Sequence, residues 1–183
     1  ESLKKYSDSF HLYIFSFDDK SHNLLKTLNL EFVTVISLKN FEDKELLKVK
    51  GDRSTGEYCW TCTPSTIKYC IDTYKLDSCT YLDADIYFFG DPSILIKEME
   101  EKSILITEHR YTPKYDQAST SGIYCVQFLY FKNNLIGNKI LEDWRKKCLR
   151  WCYNRIEKGK FGDQKYLDVW PKKFNQVYVS DHL

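Results

Sequence analysis

The chain of 183 residues lacks the features that mark several common protein classes. No apolar stretch approaches the roughly 20 residues that a membrane-spanning helix needs, and no secretory signal is recognisable. The net charge is only +1, so no general field attracts nucleic acid or acidic lipid. Neither G-x-G-x-x-G nor G-x-x-x-x-G-K-[ST] occurs, which removes support for dinucleotide and P-loop binding. We therefore predict no transmembrane segment and no nucleic-acid partner.

The seven cysteines form an odd set without a recognisable signal for secretion. This pattern favours reduced thiols and predicts a cytoplasmic protein. Cys59 and Cys62 could form half of a zinc site with Cys148 and Cys152, but this spacing fits no familiar zinc pattern. Cys148 and Cys152 lie four residues apart on a periodic helix, so packed core thiols are the favoured interpretation.

Predicted strands and helices alternate along the chain, which indicates an α/β fold. Hydrophobic residues make up 43% and aromatic residues 16%, enough for one domain with a real core. We predict a single domain with a mainly parallel central sheet flanked by helices. The predicted strands are 11–19, 31–38, 79–85, 103–109, 123–131 and 176–179, and the predicted helices are 20–29, 41–48, one that begins at Thr63–Pro64, 93–101, 135–157 and a short one after Asp163.

Two acids, Asp83 and Asp85, stand where the apolar run of "TYLDADIYFFGDP" (80–92) is interrupted. Strand alternation would send both carboxylates to one side and Ala84 to the other. Ligands of open α/β sheets bind beyond the carboxyl ends of strands, where these acids are expected. Paired carboxylates form a hard oxygen site for Mg²⁺ or Mn²⁺, which could bind a diphosphate. The alternative is a strand that ends in solvated acids.

Several segments together resemble the nucleotide-diphospho-sugar glycosyltransferases of the GT-A fold. They are "YLDADIYFFGDP", "FGDQKYLDVWP", "EYCWTCTP" and "SGIYCVQFLYFKNN", in that family's order around the acids. The chain is especially similar to bacterial glycosyltransferases related to glycosyltransferase family eight, and the similarity extends over nearly all of it. The resemblance implies a single GT-A-like domain over 1–183 that transfers a sugar from a nucleotide diphosphate to a hydroxyl acceptor. UDP-sugar is the expected donor, and a glycan or lipid-linked molecule the expected acceptor.

The resemblance also implies roles for individual residues. Asp83 and Asp85, with Ala84 between them, would bind Mn²⁺ or Mg²⁺ and the donor diphosphate. Asp163 and Gln164 would face the donor sugar and act in catalysis. His182 would be the third metal ligand. By analogy with family eight, the reaction would retain the configuration of the sugar.

Two departures from the family pattern bear on these expectations. The opening strand of the family is not found before "SLKKY", so the resemblance predicts a domain truncated at that strand and at its C-terminus. The stretch "CVQFLYF" replaces an Asn-x-Gly type turn, which bears on the acceptor side and on the stereochemical outcome.

Other interpretations of the same residues stay open. A phosphohydrolase of the haloacid dehalogenase type also uses D-x-D, although its pattern requires Thr or Val where this chain has Tyr87. A non-catalytic domain that binds a nucleotide-sugar is the third hypothesis. His109 and Arg110 follow a strand and could meet a phosphate, with an ordinary loop pair as the favoured alternative. Asp91 is assigned to helix capping.

Overall fold

The computed structural model describes residues 1–7 and 9–181 as a mixed α/β fold. The helices are Ser2–Tyr6 (α1), Asp19–Thr27 (α2), Leu38–Phe41 (α3), Lys44–Lys50 (α4), Thr55–Tyr74 (α5), Ser93–Glu98 (α6), Leu135–Arg150 (α7) and Trp170–Lys173 (α8). The strands are Leu12–Ser16 (β1), Val33–Ser37 (β2), Ser78–Leu82 (β3), Ile104–Glu108 (β4), Tyr124–Lys132 (β5) and Val177–Val179 (β6). Two 3₁₀ helices span Pro113–Tyr115 and Gln164–Val169.

The strands form two sheets, and the larger one is mixed. β1 and β2 pair in parallel, while the four-stranded sheet has the order β3-β5-β4-β6. Within this larger sheet, β5 runs antiparallel to both of its neighbours, β3 and β4, and β6 pairs in parallel with β4. The α/β class is thus confirmed, but the prediction of a mainly parallel central sheet is wrong for this sheet. A continuous apolar run indicates that both faces of a strand are buried, but it does not indicate whether the strand runs parallel or antiparallel to its neighbours.

The main core lies between the four-stranded sheet and helices α5 and α7. Three large aromatic side chains, Phe131, Trp144 and Trp170, are almost completely buried in it. The rings of Trp144 and Trp170 meet edge to face with centroids 5.5 Å apart, and Phe131 stacks on Trp144 at 6.3 Å. These are favourable geometries for aromatic pairs, and they lock α7 against the sheet.

Helix α5 begins eight residues before the predicted start at Thr63–Pro64. Its N-cap is Ser54, which forms a capping box with Glu57: the Ser54 N–H donates to the Glu57 carboxylate at 2.8 Å. Pro64 therefore lies inside the helix, where it removes one backbone donor. The S-x-x-E signature of the capping box outweighs the weaker Thr-Pro signal.

Helix α7 ends at Arg150, earlier than the predicted boundary, because Trp151 adopts an extended conformation. Cys148 belongs to the helix and Cys152 lies beyond its end. Both thiols are fully buried in the main core, as predicted.

No helix in the described part of the chain is long and apolar enough to cross a membrane, which agrees with the prediction of no transmembrane segment.

We expect opposite effects from two glycine-to-alanine substitutions in helices. A Cβ at Gly137 would lie 2.3 Å from the Lys132 carbonyl oxygen, so Gly137→Ala should destabilise the protein by about 2 kcal/mol or more. Gly56 has nothing within 4 Å of the same position, so Gly56→Ala should be neutral or stabilise by up to about 1 kcal/mol. Urea unfolding of both variants and the wild type measures the difference. Equal stability of the two variants would contradict the close packing of the α7 N-terminus.

Candidate active site

One edge of the four-stranded sheet collects the polar residues that follow its strands. β3, β4 and β6 all end at this edge, because each of β3 and β4 is antiparallel to β5 and β6 is parallel to β4. Asp83 follows β3, His109 and Arg110 follow β4, and Ser180 follows β6. The expected position of the acids, at the carboxyl end of a strand, is therefore confirmed.

Asp83 is held where β3 leaves the sheet. Its N–H donates to the Gln127 carbonyl at 3.1 Å, and its carboxylate accepts from the Tyr81 hydroxyl at 2.9 Å. Burial raises the pKa of Asp83, the bond from Tyr81 opposes this shift, and the negative charge of Asp85 adds to it. Asp83 is thus a half-buried carboxylate that a positive ligand would stabilise.

Asp85 is exposed, in a turn with Ala84, and lines an open cavity of about 550 Å³. The strand was predicted to reach Asp85 but ends at Leu82, so strand alternation does not set the directions of these side chains. The cavity is also lined by residues from the ends of β4 and β6. They include Thr107, Glu108, His109, Arg110 and Ser180.

The backbone of Asp163 is anchored in the main core. Its carbonyl accepts from the buried Trp144 indole N–H at 3.0 Å. Gly162 before it has φ +50°, which favours glycine, and a Cβ there would lie 3.5 Å from the Trp60 ring. The "GDQ" turn is therefore fixed by tertiary contacts, and Asp163 makes no side-chain cap to the 3₁₀ helix that follows.

The carboxyl of Asp163 is buried, with 3% of the residue exposed. Burial raises the pKa of Asp163 to about 7, and the negative charge of Asp83 adds to the rise. The Thr63 hydroxyl opposes the shift. One carboxyl oxygen, Oδ2, has no hydrogen-bond partner among the described residues. Burial without a partner for Oδ2 favours the protonated carboxyl over the carboxylate. Such a group is a candidate for a functional residue.

Gln164 is oriented by partners from two other segments. Its Nε2 donates to the Ser121 carbonyl at 3.0 Å, and its Oε1 lies 3.2 Å from His109 Nε2. Because Oε1 can only accept, this contact assigns the proton to Nε2 of the imidazole. The His109 ring stacks on Tyr111 with centroids 4.4 Å apart. The sequence predicts either a phosphate contact or an ordinary loop position for His109, and it does not predict this contact with Gln164. The available signal was a histidine directly after a strand.

The structure describes two of the three predicted metal ligands, Asp83 and Asp85. Asp83 and Asp85 lie at the same edge, and their oxygens suit a hard divalent cation. His182 lies outside the described residues. Among residues 1–7 and 9–181, no group of three or more histidine, cysteine, aspartate and glutamate side chains could hold a metal ion. The two aspartates would thus be partial ligands, with the remaining positions left to water, substrate or other groups.

Two uncharacterized proteins of Bacillus subtilis (strain 168) are similar to this chain. YfnD is 33% identical over 184 residues and YfnF is 30% identical over 185 residues, each across 97% of this chain. The chain spans 58% of the length of YfnD and 61% of that of YfnF. No family model matches the chain, and no solved structure shows a significant match.

The buried carboxyl predicts a pH dependence of stability. The folded protein retains a proton on Asp163 up to about pH 7, whereas the ordinary value for an aspartate is 3.8. The contribution of Asp163 to the free energy of unfolding is therefore fully present below about pH 4. It decreases by roughly 4 kcal/mol as the pH rises from about 4 to about 7, because the unfolded chain releases this proton first. Asp163→Asn cannot ionise, so the difference in unfolding free energy between variant and wild type should grow in favour of the variant over this window.

Urea unfolding at pH 5, 6, 7 and 8 measures this difference. Asp143→Asn is a suitable control, because Asp143 is partly exposed and paired with Lys147 on the α7 surface. A difference between Asp163→Asn and wild type that stays constant with pH would show that Asp163 ionises normally.

Proposed function

We propose that this chain is the donor-binding domain of a metal-dependent glycosyltransferase. The observation that carries the proposal is the pair Asp83 and Asp85 at the end of β3, beside an open cavity, with the buried Asp163 nearby. The cavity volume of about 550 Å³ is in the range of small-molecule sites.

Asp83 and Asp85 would bind Mn²⁺ or Mg²⁺ through their carboxylate oxygens. When bound, the cation would stabilise the negative charge that develops on the departing diphosphate. Asp83 is prepared for this role because its carboxylate is already half-buried and oriented by the Tyr81 hydroxyl. Asp85 is exposed and would contact the ligand from the cavity side.

Asp163 and Gln164 would contact the donor sugar. Two hydrogen bonds hold the Gln164 carboxamide in one orientation, so little ordering would be needed when a sugar hydroxyl binds. Asp163 is protonated below about pH 7, where it can donate a hydrogen bond, and it becomes an acceptor above that pH. Positioning and charge stabilisation are therefore the expected contributions of this pair.

The finer assignments rest on the sequence resemblance. They are UDP as the nucleotide, a glycan or lipid-linked acceptor, and retention of configuration. A cytoplasmic location rests on the odd number of cysteines. The phosphohydrolase and the non-catalytic binding domain are distinguished from the transferase by the experiment below.

The donor site predicts metal-dependent binding of UDP. In titration calorimetry on the protein at its full natural length, UDP should bind with Mn²⁺ and much more weakly without it. Even changes to the hydrogen-bond partners of metal ligands cost about 10–100-fold in metal affinity. Asp85 would be a ligand itself, so Asp85→Asn should weaken Mn²⁺-dependent UDP binding by at least about tenfold. Asp91→Asn is the matched control, because the exposed Asp91 carboxylate accepts hydrogen bonds from the N–H and hydroxyl of Ser93 in the first turn of α6 and does not line the cavity. The N-cap of α6 is Pro92, so the assignment of Asp91 as the capping residue is wrong by one position.

Each hypothesis gives a different result. No UDP binding by the folded wild type would overturn the donor site. Release of phosphate from a phosphate ester, lost in Asp83→Asn, would support the phosphohydrolase. Binding of UDP-sugars without hydrolysis or transfer would support the non-catalytic domain.

A further inference from the structure

The cavity beside Asp85 contains one permanently positive side chain among its described lining residues, Arg110. The other charged lining residues, Asp85 and Glu108, are acids. A cavity built only to hold a cation would gain nothing from a guanidinium group, which repels metal ions. The presence of Arg110 therefore indicates that the bound ligand also carries negative charge.

Among the described residues, the Arg110 guanidinium has one weak hydrogen-bond partner. Its Nη2 reaches the Ser180 carbonyl at 3.4 Å, and no carboxylate among residues 1–7 and 9–181 pairs with it. Arg145 shows what a structural arginine looks like in this chain: it is buried and pairs with Asp43 and Glu45 at 2.6 and 2.7 Å. Arg110 is exposed in the cavity wall with most of its donors available.

The backbone holds Arg110 in a conformation that a non-glycine residue seldom adopts. Its φ is +50°, in the left-handed region. The preceding residue is fixed on both sides: the His109 N–H donates to the Ile123 carbonyl at 2.9 Å, and the His109 ring contacts Gln164 and Tyr111. Backbone strain that is held by surrounding contacts is often found at functional sites.

We infer that Arg110 binds the diphosphate of the donor and selects nucleotides with two phosphates over those with one. This inference rests on the proposed function. A guanidinium group binds phosphate oxygens through two parallel hydrogen bonds, which an ammonium group cannot reproduce. Asp85, with the cation, and Arg110 belong to the same cavity but follow different strands. A diphosphate offers oxygens to both groups, whereas a monophosphate leaves one of them without a partner. In this arrangement Arg110 contacts the donor diphosphate directly, while Asp163 and Gln164 would contact the donor sugar.

Titration calorimetry with uridine, UMP and UDP, all with Mn²⁺, tests this role in the protein at its full natural length. Charged hydrogen bonds to phosphate are strong enough that Arg110→Gln should weaken UDP binding by about tenfold or more. Its UMP affinity should change less, so the preference for UDP over UMP should shrink, and uridine binding should not change. Arg110→Lys should recover part of the UDP affinity, because it keeps the charge but loses the paired geometry.

Lys114→Gln is the matched control, since Lys114 is an exposed cation four residues along the chain whose ammonium lies over the Tyr115 ring, and it does not line the cavity. It should leave all three affinities unchanged. Glutamine and lysine keep the same left-handed backbone constraint as arginine, so both variants test the side chain, and their urea midpoints confirm folding.

The outcomes separate the two proposals. If the wild type does not bind UDP with Mn²⁺, the proposed function and the role of Arg110 both fail. If the wild type binds UDP and Arg110→Gln binds it within twofold, only the role of Arg110 is overturned. Equal losses for uridine, UMP and UDP would also overturn it, because they would indicate a general disturbance of the site.

Discussion

The hydrogen bond from the Trp144 indole to the Asp163 carbonyl connects the core of this protein to its candidate site. Trp144 is completely buried, so its N–H needs an internal partner. The partner it finds belongs to the turn that carries Asp163 and Gln164. The positions of Asp163 and Gln164 therefore depend on the packing of α7 against the sheet. A protein with a loosened Trp144 would lose the site along with the core.

The 3₁₀ helix Gln164–Val169 extends this connection to the loop between β4 and β5. Lys165 donates to the carbonyls of Ala118 and Ser119, and Asp168 accepts from the Ile123 N–H. Backbone groups of a polar loop are thus bound by side chains from a distant segment. The loop is linked to the cavity through Ile123, because the Ile123 carbonyl accepts from the N–H of His109, which lines the cavity.

Charge in the site is arranged so that three aspartates can lie close together. Asp85 is exposed, Asp83 is half-buried, and Asp163 is buried and protonated below about pH 7. If all three were ionised in one low-dielectric region, their repulsion would be costly. A neutral Asp163 lowers that cost, and a cation at Asp83 and Asp85 would lower it further. In the proposed function, Arg110 then supplies positive charge to the anionic donor from the end of a neighbouring segment, after β4.

Features that depend on neighbours along the chain could be predicted from the sequence. These were the α/β class, the acids after a strand and the burial of Cys148, since local periodicity reports which side chains are covered. Three features depend on the tertiary structure: the antiparallel direction of β5, the raised pKa of Asp163 and the support of Gln164 by His109. Strand direction depends on how distant segments return to the sheet, and a pKa depends on the surroundings of the folded carboxyl. The contacts that define the site join residues 19 and 55 positions apart, beyond the range of any local pattern.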